Sequence, residues 1–133
     1  MCDCVFCKII AGDIPSMKVY EDDKTLAFMD VAKDVDGHIL VIPKKHFKNI
    51  FDCEADTLNS VMQTVQTVSQ HLIKNCGYDG VNLLNANDES AGQSVSHFHI
   101  HIIPRKNNDG LNAWPKFDGA NNDIHSIYEQ FKM

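Results

Sequence analysis

Residues 93–105, Gln93-Ser94-Val95-Ser96-His97-Phe98-His99-Ile100-His101-Ile102-Ile103-Pro104-Arg105, carry three histidines at alternate positions. Side chains alternate sides along a β-strand. An extended chain therefore puts Val95, His97, His99, His101 and Ile103 on one face and Ser96, Phe98, Ile100 and Ile102 on the other. The second set is mostly large and apolar. The pattern predicts a strand that buries its even face and presents three imidazoles on its odd face. Neighbouring imidazoles would start about 6.6 Å apart at Cα, for a rise of about 3.3 Å per residue. Pro104 lacks an N–H and is expected to end the pairing. Imidazole titrates nearest neutrality and serves as base, acid, nucleophile or metal ligand. One such residue on a strand is ordinary. Three at i, i+2 and i+4 behind Gly92-Gln93-Ser94 suggest a central reactive ring with neighbours that orient and tune it.

This run resembles the histidine-triad (HIT) signature, His-φ-His-φ-His-φ-φ with φ apolar. The overall pattern is similar to the Hint-like branch, small bacterial HIT proteins included, from about residue 4 to residue 105.

The bulk numbers fit one soluble domain, 1–133, with a tail at 106–133. At 133 residues the chain can bury a core. With 44% hydrophobic and 23% charged residues it has ordinary globular composition. A net charge of -6 argues against coating nucleic acid, which needs a basic excess, but leaves room for a single nucleotide. No apolar run suits a membrane span, and Met1-Cys2-Asp3-Cys4 does not open a signal peptide. Five cysteines, three of them in the first seven residues, fit a cytoplasmic protein with thiols available to metal better than a disulfide framework.

Cys4-Val5-Phe6-Cys7 is a C-x-x-C pair whose thiolates can reach one tetrahedral ion, provided that two more ligands come from elsewhere. A redox pair and two incidental thiols are the rival readings. The resemblance implies a structural zinc on Cys4, Cys7, His46 and His97. Cys2, Cys53 and Cys76 have no comparable support.

Residues 6–10 read as a short helical turn closed by Gly12. Residues 17–20 and 25–29 read as a hairpin, and 37–46 as a central strand covered on both faces. Residues 54–75 form the long helix, with Leu58, Val61, Met62, Val65, Val68, Leu72 and Ile73 on one face, Asp52 as cap and Gly77 as stop. Residues 80–84 are a strand, 85–92 a polar loop, and 124–131 a short closing helix. His71 and His125 read as surface residues.

These elements predict an α+β fold: an antiparallel sheet of about five strands with one long and one short helix. The resemblance implies a HIT-like fold whose sheet continues across a homodimer. It also implies that Asp30 takes a nucleotide ribose, beside a base pocket of Phe6, Ile9, Ile14, Phe28 and Val31; core packing is the alternative for each apolar residue. His38 would join the triad's polar shell. Gln93 and Ser94 would contact phosphate or leaving group, with Asn85 close by, and Trp114 would influence specificity.

The expected activity is hydrolysis of a purine nucleoside 5′-phosphate derivative, such as AMP linked to an amine, at its α-phosphorus. His99 would be the nucleophile, supported by His101, His97 and His38, with no catalytic metal required. Within enzymes, the alternatives are a dinucleoside polyphosphate hydrolase or a nucleotidyl transferase. A regulatory module that binds nucleotide or zinc with little turnover lies outside them. A catalytic metal site on His97 and His99 would want a carboxylate that the motif does not supply.

Overall fold

The computed structural model describes residues 3–32 and 34–133, so Met1, Cys2 and Lys33 lie outside the described residues. In order come α1 (Val5–Ala11), β1 (Lys18–Glu21), β2 (Thr25–Met29), β3 (Ile39–Pro43), α2 (Ala55–Asn75), β4 (Gly80–Leu84), β5 (Ile100–Arg105) and α3 (Ile124–Phe131). A single 3-10 turn, Glu89–Ala91, interrupts the loop between β4 and β5. The α+β expectation holds, with three helices among the described residues where one long and one short were expected.

The five strands form one antiparallel sheet in the order β1-β2-β3-β5-β4. Its register assigns the two faces. Leu26 lies opposite Ile42, Phe28 opposite Leu40, and Leu40 opposite His101. Partners in a ladder share a face, so Leu26, Phe28, Leu40, Ile42 and His101 point one way. With Phe6 and Ile9 of α1, the apolar members of this set form one buried cluster. On the opposite face Ala27, Ile39, Val41, Phe98, Ile100 and Ile102 pack under Val61, Val65, Val68 and Leu72 of α2. The sheet is thus a layer between a long helix and a short one. Seven residues of α1 cannot cover a five-stranded sheet, and the histidines occupy the remainder of its face.

The long helix buries a narrower stripe than its sequence suggests. Met62 and Ile73 are exposed, whereas Thr64 is buried with its hydroxyl 2.6 Å from that of Thr25. Asp52 does not cap α2. Its carboxylate accepts from the Lys48 and Asn49 N–H groups in the preceding turn, and the capping position falls to Glu54. Gly77 takes a left-handed φ of 79° behind the helix end, and the Tyr78 N–H bonds back to the Leu72 carbonyl, as a glycine stop requires.

Two expectations for the histidine strand are corrected. The ladder begins only at Ile100, so His97 and His99 precede the strand and are buried, not presented on an open face. Other groups hold this segment: the Phe98 N–H donates to the Phe47 carbonyl, and Asn85 Nδ2 donates to the His99 carbonyl. Pro104 does not end the strand but pairs opposite Val81. The next carbonyl, of Arg105, accepts from Asp79 on the β4 side. Successive residues of a strand alternate sides, so the proline nitrogen faces β3, whose pairing has already ended at Ile102.

Beyond β5, Arg105 clamps the chain with bonds of 2.7–2.9 Å to Asp109 and Asn82. Trp114, Phe117 and the Ile124, Tyr128 and Phe131 side chains of α3 are exposed. No described helix is long and apolar enough to cross a membrane.

Candidate active site and metal cluster

α1 places the two cysteines. Cys4 is its N-cap and Cys7 stands three residues on, so both thiols lie at the first turn, and the Cys7 N–H reaches Cys4 Sγ at 3.5 Å. A helix opening also suits a redox pair, but here imidazoles converge on the sulfurs. Cys4 Sγ lies 3.4 Å from His97 Nδ1, and Cys7 Sγ lies 3.3 Å from His46 Nδ1 and 3.6 Å from His97 Nδ1. The two imidazole Nδ1 atoms are 3.1 Å apart, and all four donor atoms fall within 4.8 Å of one another. Bonds of about 2.0–2.3 Å to a tetrahedral zinc imply donor separations of about 3.3–3.8 Å. The spacings nearly match, and two sulfurs with two nitrogens are a donor set that zinc accepts. The four expected ligands therefore come together as a metal-sized cluster.

Backbone carbonyls set the histidine tautomers. A carbonyl only accepts, so a ring nitrogen bonded to it must carry the proton. His97 Nε2 lies 2.8 Å from the Pro43 carbonyl, which makes Nε2 the donor and leaves the Nδ1 lone pair for the cluster. His99 is set the opposite way. Its Nδ1 lies 2.7 Å from the His97 carbonyl, so Nδ1 carries the proton and Nε2 the lone pair. Two histidines two residues apart thus present different nitrogens, one to the cysteine cluster and one as a base.

The third histidine joins another chain of bonds. His101 Nδ1 is 2.8 Å from His38 Nε2, and His38 Nδ1 is 3.0 and 3.1 Å from the two oxygens of Asp34. The His99 and His101 rings stand 4.9 Å apart between centroids. Gly37, just before His38, lets β3 start close against Pro104. It holds φ at 80°, and a Cβ there would sit 3.0 Å from Pro104 Cγ.

Burial disfavours a charged imidazole. Burial first, then the neighbouring His99 and His38, push the His101 pKa down to about 4, and burial lowers that of His99. For His97, burial is again the main cause of a fall to about 4. In the substrate-free protein the three rings are therefore neutral at neutral pH, the state that a nucleophile or a metal ligand requires. The folded pKa of His101 lies below its ordinary 6.5, so the folded state binds fewer protons than the unfolded one. Its contribution is complete above pH 6.5 and is lost as the pH falls toward about 4. Urea midpoints measured across that window are expected to fall with pH, and less steeply in His101→Gln.

The remaining expected residues divide. Phe6, Ile9 and Phe28 are core members, and the Phe6 ring also meets His97 and His99 edge-on at 5.9 and 5.2 Å. Ile14 packs against the same cluster, whereas Val31 is 84% exposed. Asp30 closes β2, with one oxygen 3.6 Å from His38 Nε2. Beside it runs a cleft of about 660 Å³, lined in part by Met17, Met29, Asp30, Val31 and Asp34. That volume suits a small-molecule ligand.

Gln93 is committed locally. Its amide donates to the Lys48 and Val95 carbonyls and accepts from the Asp88 N–H. It thereby holds Asp88, a non-glycine residue at φ 72°. Ser94 is exposed beside it, and Trp114 is exposed on the tail. Asp34 was missed in the sequence. Its position four residues before His38, in a turn that closes at Gly37, is the only local signal, and such carboxylates are common in turns. The fold brings the Asp30 carboxylate together with His38 and His101, and not into the cluster that holds His97.

Comparison with known proteins places this geometry. The HIT domain profile matches residues 11–108. An uncharacterised HIT-like protein of Methanocaldococcus jannaschii is 45% identical over 97% of this chain and 98% of its own. The adenosine 5′-monophosphoramidase of Schizosaccharomyces pombe is 36% identical over 96% of this chain and 94% of its own. The crystal structure of a zinc-bound histidine triad family protein from Mycobacterium smegmatis superposes with a TM-score of 0.78. It is 33% identical and covers 87% of this chain and 84% of its own. With its sheet, its three alternating histidines and its match over most of its length, the chain belongs to the HIT domain family.

Proposed function

We propose that this protein hydrolyses purine nucleoside 5′-phosphoramidates, AMP linked to an amine being the type case, through a nucleotidyl-histidine intermediate. The observation that carries this reading is the His99 tautomer. The bond from Nδ1 to the His97 carbonyl leaves Nε2 as a neutral, unprotonated nitrogen beside His101. Such a nitrogen can act as nucleophile without an activating metal. The phosphoramidase name of the yeast relative supports the substrate class.

In the first step His99 Nε2 bonds to the α-phosphorus, the bond from phosphorus to the leaving nitrogen breaks, and that nitrogen takes up a proton. Water then attacks phosphorus, the bond to His99 breaks, and the water gives up a proton. The products are AMP and the free amine. Ser94 and backbone N–H groups of the loop hydrogen-bond the phosphate and offset its developing charge. Gln93 and Asn85 act by holding the loop and the His99 backbone in place. Asp30 accepts from the ribose hydroxyls, and Phe6, Ile9, Ile14, Phe28 and Val31 flank the base.

Zinc on Cys4, Cys7, His46 and His97 would be structural, tying α1 to the segment ahead of β5. Both His97 nitrogens are then committed, one to Pro43 and one to the cluster, so His97 supports the reaction without carrying its proton. The edge strand β4 and the exposed apolar residues of the tail fit a homodimer with a continuous sheet. We take the chain to be a single cytoplasmic domain.

Rapid quenching during turnover of an adenosine 5′-phosphoramidate tests the chemistry. Mass spectrometry is expected to find one AMP on the peptide spanning 93–105, attached at His99. Turnover with no adduct at any quench time would replace the covalent route with direct attack by water.

A further inference from the structure

Asp34 has no role in the reaction as described, yet it begins a continuous chain of hydrogen bonds that ends beside the nucleophile. Its carboxylate takes both contacts on His38 Nδ1, at 3.0 and 3.1 Å. A carboxylate accepts, so Nδ1 carries the proton and the His38 Nε2 lone pair faces His101 Nδ1 at 2.8 Å. His101 Nδ1 must then donate. Its other nitrogen, Nε2, is left as the one that can exchange a proton with a bound substrate. The same linkage, carboxylate to imidazole to acceptor, fixes imidazole orientation and raises basicity in metal and catalytic sites.

We propose that Asp34 is a positioning residue that, through His38, fixes the His101 tautomer and supports its protonated form, so that His101 carries the proton of the reaction. This assignment of the proton carrier rests on the phosphoramidate reading above. The balance is one proton per cycle. His101 Nε2–H protonates the leaving nitrogen as the bond from phosphorus breaks, and neutral Nε2 recovers a proton from the attacking water. Three negative groups favour the imidazolium: the substrate phosphate, Asp30 and Asp34. Asp34 acts through His38, whose Nδ1–H stays bonded to the carboxylate. The groups facing the His38–His101 pair are Asp30, which follows β2, Asp34 in the turn before β3, and His99 ahead of β5. The side chain of Asp34 is more than half exposed, so its replacement leaves the core untouched.

The test uses the full chain labelled with ¹⁵N, without substrate, and reads the imidazole nitrogen shifts of His38 and His101 at neutral pH. Wild type is expected to show both Nδ1 atoms protonated. Asp34→Ala is expected to average the tautomers of both rings. In the same variant kcat for an adenosine 5′-phosphoramidate should fall about tenfold to 100-fold, a part of the usual general acid–base contribution. KM should stay within about twofold. The basic limb of kcat should move to lower pH, because a negative charge that favoured the imidazolium acid is gone. Asp34→Asn still accepts the Nδ1 proton without charge, so it should keep the nitrogen pattern and lose less activity. Tautomers or kcat unchanged in Asp34→Ala would overturn the proposal. Wild type that shows the expected tautomers, lost in Asp34→Ala, but cleaves no phosphoramidate would uphold the positioning chain and overturn only the reaction proposed for the site.

Discussion

Replacing His99 with alanine is expected to lower kcat for an adenosine 5′-phosphoramidate by at least about 10⁴-fold, the scale seen when a covalent nucleophile is removed. AMP affinity is expected to change by less than about tenfold. The proposed base-pocket residues Phe6, Ile9 and Phe28 are held mainly by the apolar cluster between α1 and the sheet. Truncating a buried imidazole leaves a small polar cavity that water can fill, next to the His97 carbonyl that lost its donor. Steady-state kinetics together with calorimetric titration of AMP separate the two effects. A loss of only a few-fold in kcat would assign the attack to water. Equal collapse of binding and turnover would show that the ring holds the nucleotide in place. An unchanged biological effect with full AMP affinity would favour the regulatory-module reading.

The second large effect is on stability. Wild type supplied with zinc is expected to bind one ion per chain, and Cys7→Ser to lose it. A ligand present at about 1,000 times its dissociation constant stabilises by about 4 kcal/mol. At about 3–5 °C per kcal/mol, between the values for chains of 100 and 150 residues, Cys7→Ser or strong chelation should lower Tm by about 15 °C. Turnover should fall by less than about tenfold at temperatures where the chain stays folded. The reason is that the His97–Pro43 and His99–His97 bonds, which orient the proposed nucleophile, include none of the atoms proposed to hold zinc. Metal analysis and thermal scans measure the first part, and assays in excess chelator the second. An unchanged Tm would remove the structural role. Complete loss of turnover in a folded, chelated protein would move the metal into the chemistry.

Much of this site was legible because its residues are close in sequence. The alternation of Phe98, Ile100 and Ile102 against the histidines identified the buried face, and those three residues do pack under α2. Glycine stops and the apolar period located α1, the hairpin, α2 and α3 within a few residues. The C-x-x-C pair and two distant histidines were named as a set through a resemblance, and their donor atoms meet within 4.8 Å. The failures were of another kind. Extending the strand back to residue 93 assumed that alternation implies a ladder, whereas residues 93–99 have side chains and loop carbonyls for partners. Asp52 carried a capping residue's chemistry, but two nearer N–H groups claimed it.

The sequence by itself determined the periodicities, the turn positions and the family, because each depends on residues within one element or one motif. It also determined which residue types were available for chemistry. Only the tertiary structure decided which nitrogen each histidine offers. That choice depends on carbonyls of Pro43 and His97 and on the Asp34 carboxylate, acceptors whose positions follow from strand register and a left-handed Gly37. Tautomer, burial and the neutral state of the rings are therefore properties of the folded site. A sequence motif names the imidazoles, and the hydrogen-bond acceptors around them set what each can do.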